Sequence, residues 1–142
     1  NISNMNLLNE MEEYAVENNV PIINQEGLLI LKDLILVYKP KSILEIGTAI
    51  GYSAMNMHLI NDIKVTTIER DEKMYNKAVE YIKRAELEDK MISLGYLEDY
   101  QRTLKPIPYM EDALALSIVI QNKNGESTSE ENNEVAEISL KK

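Results

Sequence analysis

Residues 42–53 read Ser-Ile-Leu-Glu-Ile-Gly-Thr-Ala-Ile-Gly-Tyr-Ser, and this stretch decides the fold. A short apolar run that ends in Gly47 is typical of a buried strand. Residues 47–51 predict a turn, and a helix is expected from Tyr52 to Ile60. The change from a strand pattern to a helical period across a glycine-containing turn indicates the start of a strand–helix unit.

The same alternation continues along the chain. Residues 64–69 are rich in β-branched side chains and predict a second strand. Asp71 is expected to cap a helix that runs to Ala85, and residues 90–94 predict a third, short strand. Two further helices are expected before the first strand. This order predicts an α/β fold with a parallel sheet and right-handed crossovers.

The pattern changes after Gly95. Residues 104–110 contain two prolines, which restricts them to an edge strand or a loop. Residues 113–120 predict a strand, whereas residues 121–142 are polar and predict a flexible tail. We therefore expect one domain over residues 1–120, including the N-terminal helices, followed by a tail at 121–142.

The composition limits the classes of protein. The chain has 142 residues, of which 44% are hydrophobic and 27% charged, as in ordinary soluble domains. Its apolar runs are too short for a membrane-spanning helix, and we expect no secretory signal and no membrane partner. The absence of cysteine excludes disulfides and thiol chemistry and agrees with a cytoplasmic location. A net charge of −9 argues against bulk attraction to nucleic acid.

The glycine turn has the character of a ligand site. Gly47 allows the backbone to approach a ligand closely, and the next helix directs its N–H groups to the same place. Glu69 ends the second strand, where a carboxylate can accept the hydroxyl protons of a ribose. The spacing Gly-x-x-x-Gly is not that of a dinucleotide loop, and Glu45 would repel a pyrophosphate. A nucleoside cofactor with a positively charged end is favoured, and S-adenosylmethionine is the common one.

Residues 20–27 and 44–53 resemble the class I O-methyltransferases of the caffeoyl-CoA/catechol type, most of all the bacterial tRNA 5-hydroxyuridine methyltransferase branch. The similarity continues to about residue 94. It implies a Rossmann-like methyltransferase fold, mostly a parallel sheet with helices on both faces. By this resemblance the cofactor-binding residues are Glu45, Gly47, Ser53 and Glu69, together with Ile23 or its neighbour Ile22. No catalytic residue is assigned.

The sequence also departs from this family. The family's fourth strand carries an Asp that binds cofactor and metal, and its fifth an Asp-Asn pair that completes the metal site. Neither segment is visible here, because residues 109–118 resemble the family's final strand. Strands four and five are thus not found in this sequence, and a sheet without them would leave an open apolar edge on the first strand, which is a poor fold. We therefore expect that the sequence omits an internal segment after about residue 94, rather than being a natural short form. A divalent metal, Mg²⁺ by resemblance, is implied without assignable ligands.

The resulting prediction is a transferase. We expect a metal-assisted, S-adenosylmethionine-dependent O-methyltransferase that acts in tRNA processing on wobble 5-hydroxyuridine. The alternatives are methylation of a small catechol-like phenol, or a degenerate module for cofactor binding or dimerisation. The expected partners are accordingly tRNA or a small phenol, and a second copy of the chain, since the family commonly forms homodimers.

Other residues have simpler explanations. Tyr52 at a helix start is usually a packing residue. His58, the single histidine, has no metal-binding partner at helical spacing and is expected to pack or to lie at the surface. Lys77, Lys83 and Arg84 could touch RNA phosphates, but a solvated helix face is the simpler prediction.

Overall fold

Five strands form one sheet in the computed structural model, which describes residues 2–89, 91–103, 113–122 and 134–141. The sheet order is β3-β2-β1-β4-β5. Neighbouring strands are parallel except for the antiparallel pair of β4 and β5. The strands are β1 (Ser42–Ile46), β2 (Lys64–Glu69), β3 (Ile92–Tyr96), β4 (Ala113–Asn122) and β5 (Glu134–Lys141).

The helices precede or connect the parallel strands. They are α1 (Ile2–Glu17), α2 (Gln25–Tyr38), α3 (Tyr52–Asn61), α4 (Glu72–Arg84) and α5 (Leu97–Thr103). Two of them begin at a side-chain cap. Asn24 accepts a hydrogen bond from the Gly27 N–H at 2.8 Å, and Asp71 accepts one from the Met74 N–H at 2.9 Å. These bonds satisfy N–H groups that have no partner within the helix. Among the described helices, none is long and apolar enough to cross a bilayer.

The hydrophobic core lies where the helices pack against the sheet. Strand β2 is buried from its second residue to its last, as expected for a strand inside a parallel sheet. The core cluster includes fully buried side chains from four helices and three strands: Met11, Leu31, Ile43, Met55, Met57, Val65, Tyr81, Ile82 and Ile92. Helices α1 and α2 thus belong to the same core as the strand–helix units.

The sheet topology places a ligand site at the carboxyl end of β1. The chain moves outward from β1 to β2 and β3, and then returns to place β4 on the other side of β1. The strand order therefore changes direction between β1 and β4. In open α/β sheets ligands bind outside the carboxyl ends of the strands at such a switch point.

The fold class predicted from sequence is confirmed, with the following differences. Strand β1 has no open edge, because β4 pairs with it over Ser42–Ile46 on the side away from β2. The tail predicted from residue 121 is wrong at two places: β4 continues to Asn122, and β5 pairs antiparallel with β4. Residues 121–142 are polar on average. Within them, however, Ala136, Ile138 and Leu140 alternate with polar residues, which is a strand pattern.

Two further differences concern the region around residue 95. Strand β3 lies two residues later than predicted, and α5 follows it directly where no helix was expected. The loop or edge strand predicted at 104–110 lies outside the described residues. The boundary of a single domain at residue 120 stays a prediction.

Candidate functional site

A tight loop connects β1 to α3. Gly47 and Gly51 have φ values of 100° and 93°, and Ala49 between them has 50°. A side chain in this left-handed region costs about 1–2 kcal/mol, which explains glycine at both ends of the loop. The Gly47 N–H donates to the Ile68 carbonyl at 2.8 Å, and the Gly51 N–H donates to the Thr48 carbonyl at 3.0 Å. The loop is therefore held against β2.

Glu45 is a fully buried carboxyl group directly beneath this loop. It lies opposite Thr67 in the parallel register of β1 and β2. It accepts hydrogen bonds from the Thr67 hydroxyl at 2.7 Å and from the Ser53 hydroxyl of α3. Burial raises the pKa of Glu45 to about 7; the two hydroxyl donors oppose this rise, and the charge of Glu69 adds to it. Glu45 can thus change its charge near neutral pH.

A chain of hydroxyl groups connects Glu45 to the loop. Thr67 has one hydroxyl hydrogen, and it donates that hydrogen to Glu45. The Thr48 hydroxyl, 2.7 Å from the Thr67 hydroxyl, must therefore be the donor in that second bond. Both threonines are buried. The loop and the carboxylate consequently share one hydrogen-bonded network.

Glu69 lies at the carboxyl end of β2 and has few free acceptor positions. Its Oε1 accepts from the Ala49 N–H at 2.8 Å, and its Oε2 accepts from the N–H groups of Arg70 and Asp71 at 2.8 and 2.7 Å. Each carboxylate oxygen accepts about two hydrogen bonds. Oε1 therefore keeps one free position. To accept both hydroxyl groups of a ribose, Glu69 would have to lose one of its three hydrogen bonds from backbone N–H groups.

Ile23 is buried beside the same loop. A cavity of about 30 Å³ separates residues 21–23 from the loop residues 47–49 and from Tyr52 and Ser53. This volume accommodates about one or two water molecules, not a nucleoside. The adjoining edge of the sheet is more open, since Ile46 at the end of β1 is 46% exposed. The cavity is therefore only a corner of any larger binding site.

The structure brings the five predicted cofactor-binding residues around one loop. Gly47, Ser53 and Ile23 line the cavity. Glu45 is bonded to Ser53, and Glu69 is bonded to the N–H of the loop residue Ala49. Ile22, the alternative to Ile23, lines the same cavity and is partly exposed. Their contact with a cofactor stays a prediction.

Tyr52 and His58 are both buried, as packing residues would be. The His58 Nδ1 lies 2.7 Å from the Ile63 carbonyl oxygen. Because a carbonyl only accepts, Nδ1 carries the proton in this bond. Of the two expectations for His58, packing or a surface position, the structure shows packing. Tyr52 adds a polar role, because its hydroxyl donates to Glu12 of α1.

Two of the three basic residues considered for RNA contact are held within the chain. Lys77 bonds Glu80 at 2.8 Å, and its Nζ lies 4.6 and 4.8 Å from the centres of two tyrosine rings. Arg84 forms an ion pair with Glu10 of α1. These contacts join α1 to α4. Lys83 and Arg84 are both exposed, whereas Lys77 is partly buried.

Comparison with known proteins gives the family. A sequence model described as O-methyltransferase matches residues 2–105. This chain belongs to the O-methyltransferase family. A Staphylococcus aureus protein assigned as a caffeoyl-CoA O-methyltransferase is 29% identical, with a TM-score of 0.62 over 78% of this chain and 65% of that one.

Two more distant solved structures show the same fold. One is an O-methyltransferase from Bacillus cereus in complex with SAH, 20% identical with a TM-score of 0.60, covering 84% of this chain and 68% of that one. The other is assigned as an O-methyltransferase from Klebsiella pneumoniae, 19% identical with a TM-score of 0.60, covering 89% and 71%. The present chain spans about two thirds of the length of these proteins.

The metal ligands implied by resemblance are not found in the part of this family member that the structure describes. Within residues 3–89 and 91–100, whose side chains the structure describes, no group of three or more His, Asp or Glu side chains could hold a metal ion. These residues do not supply a metal site.

The donor chemistry of the site does fit a cationic nucleoside. Carboxyl groups stand at the ends of two adjacent strands, Glu45 on β1 and Glu69 on β2. Neither would favour a pyrophosphate, and a carboxylate at the end of β2 is suited to ribose hydroxyls. The arrangement thus agrees with a cofactor that has a ribose and a positive end.

Sequence reasoning missed two hydroxyl groups of this network: Thr67 on β2, which donates to Glu45, and Thr48 in the loop, which bonds Thr67. Thr67 could have been found by aligning the two predicted strands, because residues opposite each other in a parallel pair face the same side of the sheet. Glu12 had no such signal, because its contact with Tyr52 joins residues 40 positions apart.

Proposed function

We propose that this chain functions as an S-adenosylmethionine-dependent O-methyltransferase. The observation that carries the proposal is the pair of carboxyl groups, Glu45 and Glu69, on either side of the left-handed glycine loop. Membership of the O-methyltransferase family supports it. So do the structures of the same fold that contain SAH or SAM, from Bacillus cereus and Streptomyces achromogenes.

Each predicted residue takes a distinct role in this proposal. Glu69 accepts ribose hydroxyls, first through its free Oε1 position. Ser53 lines the cavity, and Glu45, buried beneath the loop and bonded to Ser53, supplies the negative charge that favours the positively charged end of the cofactor. Gly47 allows the close approach of the cofactor. Ile23 contributes from the other wall of the cavity. Together these contacts hold the methyl sulfonium in line with the acceptor oxygen, which is the main contribution of a site of this kind.

For the acceptor we propose wobble 5-hydroxyuridine of tRNA, on the resemblance of residues 20–27 and 44–53. A small catechol-like phenol is the second candidate, and three observations favour it. The net charge is −9, and Lys77 and Arg84 are engaged within the chain rather than available to phosphates. The likeness to the Staphylococcus aureus protein also points to a phenolic acceptor.

Metal assistance by Mg²⁺ is part of the proposal by resemblance alone. Because the described residues do not supply a ligand set, we derive no step of the reaction through the metal. The comparison of transfer with added Mg²⁺ and with a chelator tests this point directly.

We further propose a cytoplasmic homodimer. Three apolar residues of α2 are largely exposed, namely Leu29 at 63%, Ile30 at 56% and Val37 at 75%. A surface of this kind is suited to contact with a second copy. Sedimentation of the wild type and of Val37→Glu tests it: a dimer that the substitution dissociates supports the proposal, and a monomeric wild type contradicts it.

The decisive experiment is methyl transfer from labelled S-adenosylmethionine. The protein is incubated with a catechol or with tRNA that carries wobble 5-hydroxyuridine, each with Mg²⁺ or with EDTA. We expect label in one acceptor, and none with Glu69→Ala. Binding of S-adenosylhomocysteine without transfer to either acceptor would instead support the alternative of a cofactor-binding module. Absence of both would contradict the proposed function.

A further inference from the structure

Three helices meet at a polar contact that we call the Glu12 junction, formed by Glu12, Gln25 and Tyr52. The Tyr52 hydroxyl donates to the Glu12 carboxylate. The Gln25 side-chain amide lies 3.3 Å from the same carboxylate oxygen and 3.3 Å from the Tyr52 hydroxyl. Glu12 belongs to α1, whereas Gln25 and Tyr52 are the first residues of α2 and α3.

The junction joins the two walls of the cavity at the candidate cofactor site. One wall is the glycine loop, which ends directly at Tyr52, and Tyr52 itself lines the cavity. The other wall is formed by residues 21–23, which are separated from Gln25 only by the helix cap Asn24. A shift of either Tyr52 or Gln25 would therefore change the separation of the walls.

The bond from Tyr52 to Glu12 is required by burial. Tyr52 is only 3% exposed, and a buried phenol hydroxyl needs a partner. Burial, together with the hydrogen bond to Glu12, raises the pKa of Tyr52 to about 12, while Gln25 and Asn56 oppose the rise. Tyr52 thus stays protonated and remains a donor at neutral pH. Glu12 is the acidic group that faces it.

Helix α1 is anchored independently of this contact. Leu7, Met11 and Ala15 are buried in the core, and Glu10 pairs with Arg84 of α4. Removal of the Tyr52–Glu12 bond would therefore leave α1 in place. Its effect would fall on the start of α3 and on the loop before it.

We propose that Glu12 is a positioning residue for the cofactor site. Through Tyr52 and Gln25 it fixes the glycine loop relative to residues 21–23, so that the cofactor meets a preorganised pair of walls. This inference rests on the proposed function, because it requires that a cofactor binds between these walls. On this proposal, helix α1, which lies outside the strand–helix units, also helps to determine the affinity for the cofactor.

The test compares cofactor affinity with stability in four variants. The dissociation constant of S-adenosylhomocysteine is measured by calorimetry well below the melting temperature. Tyr52→Phe and Glu12→Ala remove the bond, and Glu12→Gln keeps an oxygen that accepts from both partners. Glu13→Ala is the matched control, because Glu13 is the exposed neighbour in the same helix and takes no part in the junction.

We expect Tyr52→Phe and Glu12→Ala to weaken binding about fivefold or more, the effect of one net hydrogen bond. Glu12→Gln and Glu13→Ala should bind as the wild type does. If the first two variants lower the melting temperature and leave affinity unchanged, the junction only stabilises the fold and the inference is wrong. If the folded wild type itself does not bind, it is the proposed function that fails.

Discussion

Substitution of Glu45 by glutamine should change how the stability of this protein depends on pH. Glu45 is completely buried, and burial raises its pKa from the ordinary 4.5 to about 7. The folded state therefore keeps a proton that the unfolded chain has already lost. The stability contributed by this proton is fully present below pH 4.5 and is lost as the pH rises through 7. Glutamine is uncharged at every pH and lacks this dependence.

The magnitude follows from the two pKa values. One proton held between them changes the free energy of unfolding by about 1.4 kcal/mol per pH unit. From about pH 5 to about pH 8 the wild type should lose about 2.5 kcal/mol relative to Glu45→Gln. Every other titrating group is common to the two proteins, so the difference between them isolates Glu45.

Urea unfolding of both proteins across this pH range measures the difference. The curves of unfolding free energy against pH should diverge, with the wild type falling below the variant as the pH rises. A difference that stays constant from the acidic to the basic end would show that Glu45 does not titrate in this range. The same pKa bears on the proposed cofactor contact: a cation beside Glu45 requires the carboxylate, so affinity should fall by up to about tenfold per pH unit below 7.

Other substitutions test the loop, the core and the hydroxyl network. Gly51→Ala should destabilise the fold by about 1–2 kcal/mol in urea unfolding, because φ is 93° there while the added carbon meets only ordinary contacts. Met55→Ala should cost about 2–5 kcal/mol, whereas Met5→Ala, 63% exposed, should unfold as the wild type does. Thr67→Val should weaken S-adenosylhomocysteine binding in calorimetry, and Thr67→Ser should restore it, because Thr67 donates to Glu45. Equal affinity in Thr67→Val and Thr67→Ser would show that the Thr67 hydroxyl does not contribute to cofactor binding.

The central part of the fold follows from local patterns in the sequence. The apolar run before Gly47 and the β-branched run 64–69 predict β1 and β2, and the helical period and the Asp71 cap predict α4. These elements depend on neighbours in sequence. The position of β4 beside β1 could not be read in this way, because strand order depends on contacts between residues about 70 positions apart.

The candidate site divides in the same manner. The glycine loop and the two carboxyl groups could be predicted from the sequence, because each lies at or beside the carboxyl end of a predicted strand. Neither the burial of Glu45 nor the three N–H donors of Glu69 is visible, since both depend on how closely the loop folds onto β2. Helix α5 was not predicted, because residues 97–103 show no helical repeat of apolar residues.

Calorimetric titration with S-adenosylhomocysteine shows whether a cofactor binds at the carboxyl ends of β1 and β2. It is carried out on the wild type, on Glu69→Gln and on Glu72→Gln, whose side chain is exposed in the next helix. We predict saturable binding to the wild type, a strong loss of affinity in Glu69→Gln and no change in Glu72→Gln. No binding to the folded wild type, or equal binding to all three proteins, would contradict a cofactor site at the carboxyl ends of β1 and β2.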